Sequence, residues 1–140
     1  MSKAVMDAAL ARLGATWTST DGTALAVLDL NAAGEPPASG SPFIAVELPV
    51  ANERQLTLGS PGSNQWKEEG AIRIVVNDQR GAGIARIEGW VDELRALFRG
   101  QYLSNIQFFE ANAGVINDSN DLGNYFQMSF TVRFWAFVTG

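Results

Sequence analysis

The stretch Phe126-Gln127-Met128-Ser129-Phe130-Thr131-Val132-Arg133-Phe134-Trp135-Ala136 alternates without a break. Phe126, Met128, Phe130, Val132, Phe134 and Ala136 fall on one face. Gln127, Ser129, Thr131 and Arg133 fall on the other, followed by Trp135. A period of two is that of a β-strand with one face in the core. A one-residue slip would expose the whole apolar set, so the register is well specified.

Such a strand needs partners, and the sequence offers several. Residues 71–77 alternate again, with Ile72, Ile74 and Val76 opposed to Ala71, Arg73 and Val75. From Phe43 to Val50, Ile44, Val46 and Leu48 oppose Ala45 and Glu47. Pro49 predicts the end of that strand or an edge position, because it cannot donate to a ladder. Gln55-Leu56-Thr57-Leu58-Gly59 reads as a second short strand, and residues 105–111 as another. Leu25 to Leu30 is too short for periodicity to separate strand from buried loop. Residues 31–42 hold three of the five prolines and read as loop, as do 60–65 and the Asn/Asp/Gly-rich 112–124. Trp66 is placed in the polar loop region ahead of Lys67, Glu68 and Glu69.

Two segments carry helical periodicity. In residues 83–99, Ile84, Ile87, Val91, Leu94 and Phe98 are spaced 3, 4, 3, 4, one continuous stripe, and Gly100 follows. Gly89 inside it costs up to about 1 kcal/mol relative to Ala, which points to close packing there. Residues 3–13 read as a short helix, with Met6, Ala9, Leu10 and Leu13 on one face and Gly14 at its C-cap. The order is helix, strands, helix, strands. The fold class is α+β: a mixed, mostly antiparallel sheet with the 83–99 helix on one face and a short N-terminal helix. At 140 residues, a single domain over 1–140 is expected.

Composition narrows the function. The net charge of −5, from 15 acidic and 10 basic residues, argues against a broad phosphate-binding surface. The cations are scattered, although one Arg lining a pore would leave no compositional trace. With no Cys there is no thiol nucleophile or thiolate metal site. With no His the commonest general base and transition-metal ligand are missing. Catalysis is therefore not expected, nor are a cofactor, a catalytic residue or a bound metal. The longest apolar runs are only a few residues, so no membrane span is expected.

Each candidate site has a plain competing explanation. Gly81-Ala82-Gly83 before a helix has the shape of a phosphate cradle, but it lacks the Lys-Ser/Thr of a P-loop and the third glycine of a dinucleotide site. Asp118-Ser119-Asn120-Asp121-Leu122-Gly123 is a poor calcium loop, with apolar Leu122 at the fifth position and Ser129 at the twelfth. Glu68 with Glu69, and Asp92 with Glu93, are adjacent in sequence, so their side chains diverge rather than converge on one substrate atom. Arg73 and Arg133 lie mid-strand opposite the apolar set, on a face shared by Trp135, Phe137, Val75 and Ala71. That is either an open sheet face or one covered by another protein chain. Trp66 is read as an interface anchor, with a satellite core under a loop as the alternative.

The order of segments is similar to that of a known family. It comprises the N-terminal helix, the proline loop, Pro42-Phe43-Ile44-Ala45-Val46, Arg54-Gln55-Leu56-Thr57-Leu58-Gly59 and Glu69-Gly70-Ala71-Ile72-Arg73-Ile74-Val75-Val76. A glycine turn, a helix ending Leu97-Phe98 and a long last strand follow. Over roughly residues 1–138 the chain resembles the tail-terminator and head–tail joining proteins of long-tailed bacteriophages and related gene transfer agents. That resemblance implies a structural virion protein, assembled in the host cytoplasm and located in the tail or neck. By that resemblance it would form a hexameric ring that ends the tail tube and joins it to the head-completion or neck protein. The implied partners are further copies of itself, the tube protein and the neck protein, with DNA passing through the lumen left open. The candidate interface residues are Arg54, Leu58, Trp66, Arg73, Arg133 and Trp135. A small-ligand or peptide-binding module on the sheet is the alternative, favoured if the glycine turn borders a pocket.

Overall fold

The computed structural model describes residues 3–28, 41–79, 81, 83–103, 105–116 and 125–140. In chain order the elements are α1 (Lys3–Leu13), β1 (Thr16–Thr18), β2 (Ala24–Leu28), β3 (Phe43–Gln55), β4 (Gln65–Gln79), α2 (Ala85–Phe98), β5 (Tyr102–Leu103), β6 (Ile106–Ala111), β7 (Val115–Ile116) and β8 (Tyr125–Thr139). Among the described residues they build one eight-stranded sheet, ordered β1-β2-β3-β4-β8-β6-β5, with β7 pairing β8 beside β6. Only β2 and β3 run parallel; the other pairs are antiparallel.

The α+β expectation is compatible with this architecture, which is more sheet-dominated than the helix pattern suggested. β8 is the central strand. It pairs with β4 over their full lengths, from Gln65 opposite Thr139 to Gln79 opposite Tyr125. Its alternation is realised: Met128, Phe130, Val132, Phe134 and Ala136 are buried, beside Ile72, Ile74 and Val76 of β4 and Ile44 and Val46 of β3. Both helices pack on that face, and the buried apolar residues form one cluster running from Val5, Ala9 and Leu13 to Phe98 and Phe108. Each large aliphatic or aromatic side chain sealed there contributes about 1.5–3 kcal/mol over leaving it in water.

The α2 stripe is confirmed at Ile87, Val91, Leu94 and Phe98. Two corrections apply. Ile84 precedes the helix and is 42% exposed, whereas Trp90 is buried and joins the core face. Gly89 is not a close-packing site, since a Cβ there would meet open space. Polar contacts fix the helix laterally. Trp90 Nε1 donates to Asp21 Oδ2 at 3.1 Å, and the Thr20 amide donates to Glu93 at 3.2 Å, so the β1–β2 turn is tied to α2. Arg12 donates to the Leu97 carbonyl at 3.3 Å, joining the two helices.

The β3–β4 hairpin departs most from the sequence expectation. β3 does not stop at Pro49. Its pairing with β4 shifts between Glu47 and Val50, so the proline sits in a bulge and the strand continues to Gln55. Leu56 to Gly59 is not a strand but the start of the hairpin loop, and Trp66 is not in a loop but near the start of β4. The cause is tertiary: the Leu56 amide donates to the Gln65 carbonyl at 2.8 Å, so ladder pairing overrides the local polar composition. At the tip, Ser60-Pro61-Gly62-Ser63 closes with a 2.8 Å bond from the Ser63 amide to the Ser60 carbonyl, and Gly62 supplies φ 84°. Leu25 to Leu28 falls within strand β2, and Val115–Ile116 forms a strand inside a stretch expected to be loop. Most of the proline loop and the 118–123 segment lie outside the described residues.

Candidate assembly interface

The face of the sheet opposite the helices collects four of the six sequence candidates. Register places Ala71 opposite Arg133, Arg73 opposite Thr131, Glu69 opposite Trp135 and Lys67 opposite both Phe137 and Arg54. Arg54, Arg73, Arg133 and Trp135 therefore share that face, with Ala71, Val75 and Phe137 among them as the alternation predicted. Trp66 does not join them: it pairs with Val138 and Gln55 on the other side of the sheet, its Nε1 donating to the Gly140 carbonyl at 3.1 Å. Leu58 lies in the hairpin loop and is 86% exposed.

Three of the cations on this face are matched to carboxylates. Arg73 meets Glu47 at 3.3 Å, Arg133 meets Glu110 at 3.0 Å and Lys67 meets Glu69 at 2.9 Å. The Arg133 guanidinium, chiefly by hydrogen bonding, holds the Glu110 carboxyl below the usual range. The Arg73 and Arg133 pairs are open to solvent and add little to stability, whereas the Lys67 side chain is largely covered. Their effect is to orient aromatic rings. Lys67 Nζ stands 3.4 Å over the Trp135 ring, Trp135 meets Phe109 edge-to-face at 4.8 Å, and the Arg133 guanidinium lies 4.7 Å from the Phe109 ring. Sequence reading missed Phe109, although Ile106 and Phe108 on the core face force their neighbour outward by simple alternation.

Beside these rings the bulge leaves a depression of about 250 Å³, lined by Val50, Asn52, Glu69, Ala71, Arg133 and Trp135 among others. Beyond it the β3–β4 hairpin projects, and every residue from Pro49 to Ser63 is exposed. Val50, Leu56, Leu58 and Phe137 are large apolar side chains left in water here. Several large apolar side chains left exposed along one strand extension are a mark of a protein contact.

The glycine turn borders a separate cavity of about 460 Å³, whose described lining is Gln79, Gly81, Gly83, Ile84 and Phe126. None of these is charged. The nearby first-turn cation, Arg86, is held by the Asp78 carboxylate at 2.7 and 2.5 Å, which does not suit a phosphate. Asp78 is itself buried, so that ion pair is structural. Among the described residues no group of three or more His, Cys, Asp or Glu is placed to hold a metal ion. No described helix is long and apolar enough to cross a membrane.

The family model for phage tail terminator proteins matches residues 4–134. The chain belongs to the phage tail terminator family. As a tail terminator it is a structural component of the bacteriophage virion that associates with other tail components. No curated protein sequence matches it. The match spans both helices and nearly the whole sheet, including the face that carries Arg73 and Arg133.

Proposed function

We propose that this tail terminator acts as one domain that assembles into a ring, of six copies by the family resemblance. The ring ends the tail tube, stops its growth and offers its far side to the head-completion or neck protein. The observation that carries this reading is the β3–β4 hairpin, which runs past the helix layer with its apolar side chains exposed. A monomer gains nothing from that extension, whereas a ring buries it between neighbours. Arg54, Leu58, Arg73, Arg133 and Trp135 are the proposed contact residues on or beside it, with Trp66 on the opposite side of the same extension. The excess of negative charge fits a lumen that lets DNA pass without gripping it.

Electron microscopy of tubes co-purified with the chain, after expression with its neighbouring genes, tests the proposal. Rings of this subunit at one end of each tube are expected. Tubes of unregulated length beside a free monomer would contradict it. The cavity at the glycine turn, uncharged along its described lining, favours a second reading, capture of a small apolar ligand. An apolar fluorescent probe that binds the monomer, and is excluded by Phe126→Trp, would support that reading.

A further inference from the structure

We infer that Leu58, at the tip of the β3–β4 hairpin of one copy, seats in the Val50–Trp135 depression of the next copy. This inference rests on the ring reading above and names the contact that closes the ring. Leu58 is the most exposed large apolar residue among those described, at 86%. The depression, at about 250 Å³, is small for a drug-sized ligand but suits a branched aliphatic side chain between Val50 and the Trp135 ring.

Charge selects the same occupant. The charged residues bordering the depression already have intramolecular partners, Glu69 with Lys67 and Arg133 with Glu110. An uncharged insert strands no ion, whereas a charged one would bury an unpaired group. The hairpin tip, Leu56 to Asn64, carries no charged residue at all.

The insert comes from another molecule because the hairpin is stiff. Its ladder runs to Gln55 opposite Trp66 and is closed by the Leu56–Gln65 hydrogen bond. Leu58 is thereby held past the end of the ladder, at least about 10 Å along the strand from Asn52. Knob and depression are different surfaces of one chain, so the contact is head-to-tail. Repetition of such a contact closes a ring when the rotation permits.

The chain has no native cysteine, which gives a clean background for cross-linking. The test is Leu58→Cys with Ala71→Cys in the full chain, co-expressed with the tail tube protein and mildly oxidised. A ladder of disulfide-linked species up to the full ring is expected, absent from either single variant. Rings visible by microscopy without any 58–71 cross-link would overturn the contact while leaving the ring reading intact. Leu58→Asp gives a second readout: an unchanged melting temperature with complete loss of rings is expected, and rings at the wild-type level would sink the contact. If the unaltered chain forms no rings, the ring reading fails and this contact fails with it.

Discussion

At the scale of single residues, Gly70 carries the most geometric constraint. It faces the bulge, and a Cβ on it would lie 2.0 Å from the Val50 carbonyl oxygen and 2.9 Å from its carbon. Both are backbone atoms that cannot swing aside. Gly70→Ala is therefore expected to cost about 1–3 kcal/mol, read as a lower urea midpoint at unchanged slope. An unchanged midpoint would mean that the bulge relaxes freely. Asp21 offers a pH test. The Ser19 hydroxyl first, then Thr23 and the Trp90 indole, hold its carboxyl well below its ordinary value of 3.8. A depressed folded value means that the stabilisation is complete above the unfolded value and is lost as pH falls toward the folded one. The stability gap between the wild type and Asp21→Asn should be constant near neutrality and shrink below about pH 4 in denaturation series. A gap independent of pH would show that these hydrogen bonds do not favour the ionised form. Neither residue was legible in the sequence. Bulge geometry and a tryptophan donor 69 positions away leave no local pattern.

At the scale of elements, periodicity was informative wherever one face is buried and silent elsewhere. β8, the core of β4 and the α2 stripe were readable because alternation and 3–4 spacing follow directly from burial. Trp90 was missed although it stands three residues after Ile87 and four before Leu94, on the stripe itself; its bond to Asp21 of the β1–β2 turn is the part that no local pattern reveals. β3 was underestimated because, beyond the bulge, its residues are all exposed and carry no apolar alternation. Ladder pairing with β4 alone keeps them extended. The candidate interface face was half legible: alternation put Arg73, Arg133 and Trp135 on the face opposite the core, whereas Trp66 was separated from them by a register that only the fold provides. α2 holds the core together through Leu94, which is fully buried beneath the sheet. Leu94→Asp places a carboxylate in that apolar cluster without a partner, at a cost of several kcal/mol. Loss of the cooperative thermal transition and accumulation in the insoluble fraction are expected. A soluble variant melting near the wild type would contradict the role of α2 in the core.

At the scale of the whole molecule, the helices shield one face of the sheet, and the other face is where stability and assembly can be separated. Arg73 and Arg133 lie on adjacent strands there, one step apart diagonally, with their side chains 43% and 51% exposed. Each has a carboxylate partner that is also open to solvent, so the pairs are screened and removing them disturbs the monomer little. Arg73→Asp with Arg133→Asp reverses both charges, places like charges beside Glu47 and Glu110, and moves the net charge from −5 to −9 (two changes of −2 each). For the isolated chain this should lower stability by no more than about 1–2 kcal/mol, with the far-ultraviolet circular dichroism unchanged. For an interface between copies the consequence is larger, because a reversed charge desolvated against a neighbour costs far more than one facing water. A folded, monomeric double variant that no longer caps tubes is the expected outcome, with the single variants intermediate and partly rescued at high salt. Normal particles from the double variant would remove this face from the assembly and shift attention to the hairpin alone. Unfolding of the double variant would instead show that these exposed pairs hold the sheet together, contrary to the weight their solvent exposure allows.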